Sequence, residues 1–196
     1  NLLENKVVLI KTKDTETRVT GFENITEAEN LALAGEDVPV GQYAREIFTN
    51  LDIMDQVEAM EINEGKNVTE VLAAVTQGSN EVGVVYATDA ASVADQVEII
   101  AEASSDMLET PVLYPVGMIE DEEALPEEKV AAETFFEYLQ TENALKVFEE
   151  HGFSPYTAEV EENDTEEAED TQADQKTDSE AEETGEASTE QEKTAE

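Results

Sequence analysis

The chain has 196 residues, 50 acidic and 10 basic, for a net charge of −40, with one histidine and no cysteine. This balance excludes nucleic acid and anionic membrane surfaces as partners, because phosphate binding needs clustered Lys and Arg that release counterions. The lack of cysteine excludes disulfides, thiolate metal sites and cysteine nucleophiles, and no apolar run approaches the length of a membrane span.

In chain order, Val7-Val8-Leu9-Ile10 is a short β-branched run suited to a sheet covered on both faces. Residues 12–24 are mostly polar and read as a loop. The segment opening with Asn24-Ile25-Thr26-Glu27 is predicted helical through Leu33 and ended by Gly35. Pro39 fits the first turn of a second helix over about 40–51, with Tyr43, Ile47, Phe48 and Leu51 as its apolar stripe. Asn67 is a good N-cap for a third helix through Val68, Val71, Leu72 and Val75, stopped at Gly78. Glu81 to Tyr86 reads as a buried strand, and Val97–Ile100 and Val112–Tyr114 as further strands. Pro126 opens a long helical region carrying Val130, Phe135, Phe136, Leu139, Leu145, Val147 and Phe148, ended by Gly152. Strands alternating with helices predict an α/β fold with a mainly parallel sheet.

From Ala158 onward the apolar residues are Val160 and scattered alanines, among 17 acidic and 2 basic side chains. Such a segment cannot bury enough apolar surface to fold, so residues 158–196 are predicted to be a disordered acidic tail.

Four segments carry the chemistry: Val38-Pro39-Val40-Gly41-Gln42-Tyr43-Ala44, Asn67-Val68, Gly83-Val84-Val85-Tyr86-Ala87-Thr88-Asp89-Ala90, and Tyr114-Pro115-Val116. The first two are helix starts with free backbone N–H groups, and the third ends a strand on a phenol. Helix starts suit an oxyanion, since their first N–H groups lack intrahelical partners and sit at the positive end of the helix dipole. A fully deprotonated tetrahedral dianion offers only acceptors at neutral pH, so a pocket lined only with donors selects it against a protonated phosphate.

In order and spacing these segments resemble the substrate-binding proteins of molybdate ABC transporters, from about Asn5 to about Tyr156. The resemblance implies that the anion is held by the backbone N–H groups of Val40 and Val68 and by the hydroxyl of Tyr86. Gly41 is expected to let the backbone approach the ligand, and Asn67 to cap the helix behind Val68. Where the family often has a smaller residue, Val40 is expected to narrow the pocket with its branched side chain. The family also uses two serines from a segment preceding this chain's first residue. None of Ser79, Ser92, Ser104, Ser105 or Ser154 has a matching context, so an N-terminally truncated chain is expected.

The resemblance further implies a class II periplasmic-binding-protein-like fold, with one complete lobe and the C-terminal helical part of a second. Residues 1–6 would be an incoming hinge strand, 7–113 the complete α/β lobe, and 114–157 the return hinge and C-terminal helices. An exposed apolar patch along Phe135, Phe136, Leu139 and Phe148 is expected, because those helices lack most of the sheet they should cover. The implied function is capture of molybdate or tungstate outside the cytoplasm and delivery to the membrane permease of an ABC transporter. No cofactor, no metal beyond the molybdate oxyanion and no catalysis are implied. A monomer is expected, with any signal or lipid anchor lying upstream of Asn1. Alternatives are a receptor for another tetrahedral oxyanion such as sulfate, or an acidic interaction module that binds no anion.

Other features read as structural. His151 sits before Gly152 at a helix end, where a cation favours the dipole. Asp89 reads as a loop or cap residue. Asn24-Ile25-Thr26 and Asn67-Val68-Thr69 match glycosylation acceptors but are explained as caps. The clusters Glu120–Glu123 and Glu159–Asp170 lack the spacing and glycine of a calcium loop.

Overall fold

The computed structural model describes residues 1–157, so the predicted tail lies outside the described residues. Val7–Thr12 forms strand β2, whose first four residues are buried. Its side chains alternate as the pleat requires: Val7 and Leu9 join the core on one face of the sheet, Val8 and Ile10 the core on the other.

Strand β3, Asn30–Ala34, repeats this alternation, with Leu31 and Leu33 on the first face and Ala32 and Ala34 on the second. The helix predicted through Leu33 is therefore corrected. Only Phe22–Glu27 turns, as a 3-10 helix, and the chain then extends. Glu, Ala and Leu favour helix locally, but burial on both faces of a sheet overrides that preference. With β4 (Glu61–Gly65), β5 (Val82–Tyr86) and β6 (Val97–Glu102), these strands form one sheet in the order β4-β3-β5-β2-β6. The pairs β3–β4 and β3–β5 are parallel, while β2 runs antiparallel to both β5 and β6. The sheet is thus mixed rather than mainly parallel.

On the first face lies α1, Pro39–Asn50, packed through Ala44, Ile47 and Phe48, followed by the short α2, Met54–Glu58. The second face is covered by α3, Val68–Thr76, and by α4, Ala87–Ser92. Gly83 lets α3 settle on β5, because a Cβ there would stand 2.6 Å from Val75 Cγ2.

A second sheet is built on β1, Leu3–Asn5, which pairs antiparallel with β7 (Val112–Tyr114) and β8 (Ser154–Pro155). Only Lys6 separates β1 from β2, so the two sheets meet there. The long helix predicted after Pro126 is two helices, α5 (Pro126–Leu139) and α6 (Glu142–Glu150). Thr141 restarts the helix, its hydroxyl accepting from the Ala144 N–H at 3.4 Å.

Helix α5 buries no residue and α6 buries only Ala144. The expected apolar patch is present with a different membership. Phe135 is exposed together with Val130, Tyr138 and Val147, whereas Phe136, Leu139 and Phe148 are half-buried. Phe148 turns inward because its ring meets Phe153 edge to face at 6.1 Å, and Phe153 meets Tyr114 in the same way at 5.1 Å.

Candidate functional site

Strands β4, β3 and β5 are neighbours running the same way, so their C-terminal ends share one edge of the sheet. Helix α3 starts just after β4, α1 just after β3, and Tyr86 is the last residue of β5. Loops leaving the carboxyl ends of parallel strands are where α/β proteins place ligands. Here that edge carries two helix N-termini and a phenol.

At the start of α1, Val38 is the N-cap and Pro39 the first helical residue, which has no N–H. The N–H groups of Gly41 and Gln42 both donate to the Val38 carbonyl, at 2.9 and 3.1 Å. Val40 is left as the first-turn amide without an acceptor among the described residues, although the residue is only 1% exposed. Its side chain packs with Val8, Ala32, Ala34, Val71 and Val85. The pocket narrowing expected of that branched side chain is therefore corrected, because the side chain is core.

Gly41 also has a packing role in the fold. A Cβ at this position would collide with the carbonyl oxygens of Ala34 and Gly35, so the close approach it permits is that of α1 to the end of β3. Arg45, one turn on, fixes that seat. Its guanidinium donates to the carbonyls of Ala34 (2.8 Å) and Gly41 (2.9 Å) and to Glu64 Oε2 (3.2 Å), with Glu36 Oε1 at 3.8 Å. This cation is spent on the protein's own oxygens.

At the start of α3, Asn67 is the N-cap as expected, its side chain accepting from the Glu70 N–H at 2.9 Å. Glu70 Oε2 accepts in turn from the Lys66 N–H at 2.8 Å. The amides of Val68 and Thr69 have no acceptor among the described residues. Val68 packs against the same apolar cluster as Val40, and so does Tyr86.

Tyr86 is held from both sides. Its N–H donates to Asp89 Oδ2 at 3.3 Å, and the next amide, Ala87, donates to the Lys6 carbonyl at 2.8 Å. Asp89 thus caps α4, in line with its reading as a cap residue. Asn5, buried at the sheet junction, donates through Nδ2 to Thr88 Oγ1 at 3.0 Å. The Tyr86 ring meets that of Tyr43 edge to face, 6.4 Å between centroids at 69°. Burial is the main cause pushing the Tyr86 phenol well above its ordinary range, with the neighbouring Tyr43, Tyr114 and Asp89 adding to it. It therefore stays protonated, a donor, at neutral pH. Burial also raises Asp89, opposed by the hydrogen bond from the Tyr86 backbone.

Tyr43 is the residue that sequence reading assigned only to the helix stripe; its spacing of three from Val40 was the available signal. Among the serines, Ser92 donates to the Asp89 carbonyl at 2.6 Å, and Ser79 lines a cavity of about 550 Å³ at the opposite end of the sheet. Glu16, Glu27, Glu29 and Glu81 also line that cavity, which suits it poorly to an anion. His151 ends α6 as its C-cap.

Comparison with known proteins places this geometry in context. The sequence pattern of the family described as bacterial extracellular solute-binding protein matches residues 1–154. The chain is 41% identical over 154 residues to the Bacillus subtilis (strain 168) protein named as an ABC transporter substrate-binding lipoprotein, YvgL, covering 78% of this chain and 56% of that protein. It is 36% identical over 117 residues to the molybdate-binding protein ModA of Haemophilus influenzae, covering 60% and 43% respectively. The chain spans about half the length of these relatives. Among solved structures, the substrate-binding domain described for a molybdenum ABC transporter from Clostridium difficile superposes with a TM-score of 0.69 at 31% identity, over 79% of this chain and 65% of that one. The Azotobacter vinelandii periplasmic molybdate-binding protein superposes with a TM-score of 0.54 at 16% identity, over 79% and 67%, which shows a shared fold.

Proposed function

The chain belongs to the bacterial extracellular solute-binding protein family, and from that premise we propose that it captures molybdate or tungstate and presents it to the permease of an ABC transporter. These are binding proteins rather than enzymes, and no bond is made or broken. The observation that carries the reading is the Val40 amide, a donor almost shut off from water with no acceptor among the described residues. Buried backbone donors are nearly always paired, and a bound oxyanion would supply the missing acceptor.

The Val68 amide and the Tyr86 hydroxyl complete the wall. All three can donate and the two amides cannot accept, so the site favours an anion with no proton to give. Helix dipoles add positive potential without formal charge. The acidity of the chain is compatible with this, since at physiological salt the Debye length is about 8 Å and distant carboxylates are screened.

We read residues 7–113 as one lobe, with 1–6 and the strand at Tyr114 as the crossings to a second. The pairing of β1 with β7 in a sheet of their own supports that division. An anion held between lobes would shift an open-closed equilibrium toward closed, because only the closed form lets both lobes donate. The place of action is outside the cytoplasmic membrane, as the 41% identical lipoprotein relative supports.

Calorimetry of the 196-residue chain with molybdate tests the reading. Weak binding is expected, because the serine donors that the resemblance places on the second lobe have no counterpart in this sequence. Submicromolar affinity would mean that the donor set is wrong.

A further inference from the structure

We propose that Tyr43 is a positioning residue: its ring, wedged against Tyr86 one helical turn from Val40, sets the span between the Val40 amide and the Tyr86 hydroxyl and so the size of oxyanion accepted. This deepens the proposed function and rests on it. Tyr43 follows Val40 by about one turn, so α1 carries both the Val40 donor and the ring that abuts the second donor.

Helix α1 cannot slide to relax this arrangement. Gly41 is seated on the Ala34 and Gly35 carbonyls, and Arg45 bonds to the Ala34 and Gly41 carbonyls. The Tyr86 backbone is fixed by Asp89 and by the neighbouring bond from Ala87 to Lys6. The Tyr86 side chain is half-buried against the cores on both faces of the sheet, and the edge-to-face contact with Tyr43 at 6.4 Å bounds its swing on the α1 side. The half-buried Tyr43 is itself held by the core on that face. A hydroxyl held at a fixed distance from a fixed amide measures the anion. One free to follow the anion does not.

The test uses the 196-residue chain with ring-labelled tyrosine and nitrogen-labelled backbone amides, titrated separately with molybdate and with sulfate to millimolar concentration and followed by NMR. Tyr43→Phe keeps the ring and should keep the wild-type molybdate-over-sulfate ratio. Tyr43→Leu should lower that ratio about fivefold, the size of one aromatic pair, while the Tyr86 ring signals move toward free averaging. Tyr43→Met, which keeps bulk without a ring edge, gives the same reading should the leucine variant not fold. An unchanged ratio and unchanged Tyr86 ring signals in a folded Leu or Met variant overturn the proposal and leave the anion site standing. A wild-type chain in which neither anion moves the Val40 and Val68 amides or the Tyr86 ring overturns the anion site, and this proposal with it.

Discussion

The Gly35 N–H donates to the Gly65 carbonyl at 2.9 Å, tying the loop that enters α1 to the loop that enters α3. Both glycines are buried, and the bond closes the ladder at the last parallel pair of β3 and β4, Ala34 with Gly65. The first residue past β3 is thereby tied to the last residue of β4, where the two turns that lead to Val40 and Val68 begin. The spacing of the two amides is thus a property of the rigid sheet rather than of two independent loops.

Gly41→Ala should disturb that edge without touching any candidate donor. The added methyl meets the Ala34 and Gly35 carbonyls, and overpacking of this kind costs about 1–3 kcal/mol. Thermal unfolding should show the loss, and NMR should show the Val40 amide shifted as α1 lifts from β3. Unchanged melting would mean that α1 is not seated as described.

Asn67→Ala removes the side chain that accepts from Glu70, and loss of such a cap costs about 1 kcal/mol. For a chain of this size the melting temperature should fall by about 2–4 °C. Amide exchange should accelerate at Val71, whose N–H reaches back to the Asn67 carbonyl. Equal exchange in the two proteins would show that Glu70 alone holds the helix start.

Tyr86→Phe keeps the ring against Tyr43 and deletes only the hydroxyl. A hydrogen bond to a charged partner contributes about 1.5–3 kcal/mol, so molybdate should bind about tenfold to a hundredfold more weakly while the fold is retained. Undiminished binding would remove Tyr86 from the site.

The strands and helices that could be read in the sequence are those with strong local punctuation. Pro39 and Asn67 mark helix starts, Gly78 with its φ of 70° marks a stop, and the Val7–Ile10 and Val82–Tyr86 runs are β-branched. β3 was obscured because Leu-Ala-Leu-Ala after Glu-Ala-Glu is as good a helix sequence as a strand one, and only its neighbours in the sheet decide. β4, Glu-Ile-Asn-Glu-Gly, is a polar edge strand paired on one side, without the apolar run that announces a central strand. At the candidate site, Val40, Val68 and Tyr86 were legible as a motif. The functions of Gly41, Tyr43 and Arg45 were not, because each acts on a partner distant in the chain: β3, Tyr86 and Glu64.

Salt should raise the rate at which the chain takes up molybdate. A net charge of −40 repels a dianion at low ionic strength, and screening removes that repulsion without weakening donors at contact. Deleting residues 158–196, which carry 17 acidic and 2 basic side chains, should flatten the salt dependence and leave affinity within about twofold at physiological salt. Stopped-flow uptake at several salt concentrations reads both. A rate that falls with salt would reveal a basic funnel, and loss of binding on deletion would make the tail part of the site.

Alkaline titration distinguishes the buried phenol from the others. Below the ordinary tyrosine value of 10.0 the Tyr86 phenol is neutral in both folded and unfolded chains and contributes no pH dependence. Above it the unfolded chain gives up this proton first, while burial keeps it on in the folded protein, so stability falls as pH rises through the window between the two values. The preference for the neutral phenol is fully present below the lower value and is lost through the higher. Tyr86→Phe has no proton to lose. Between about pH 9 and pH 11.5 the wild type should therefore lose more stability than the variant, with the remaining tyrosines common to both. Parallel curves in denaturant unfolding across that range would show that burial does not hold the proton on the Tyr86 phenol.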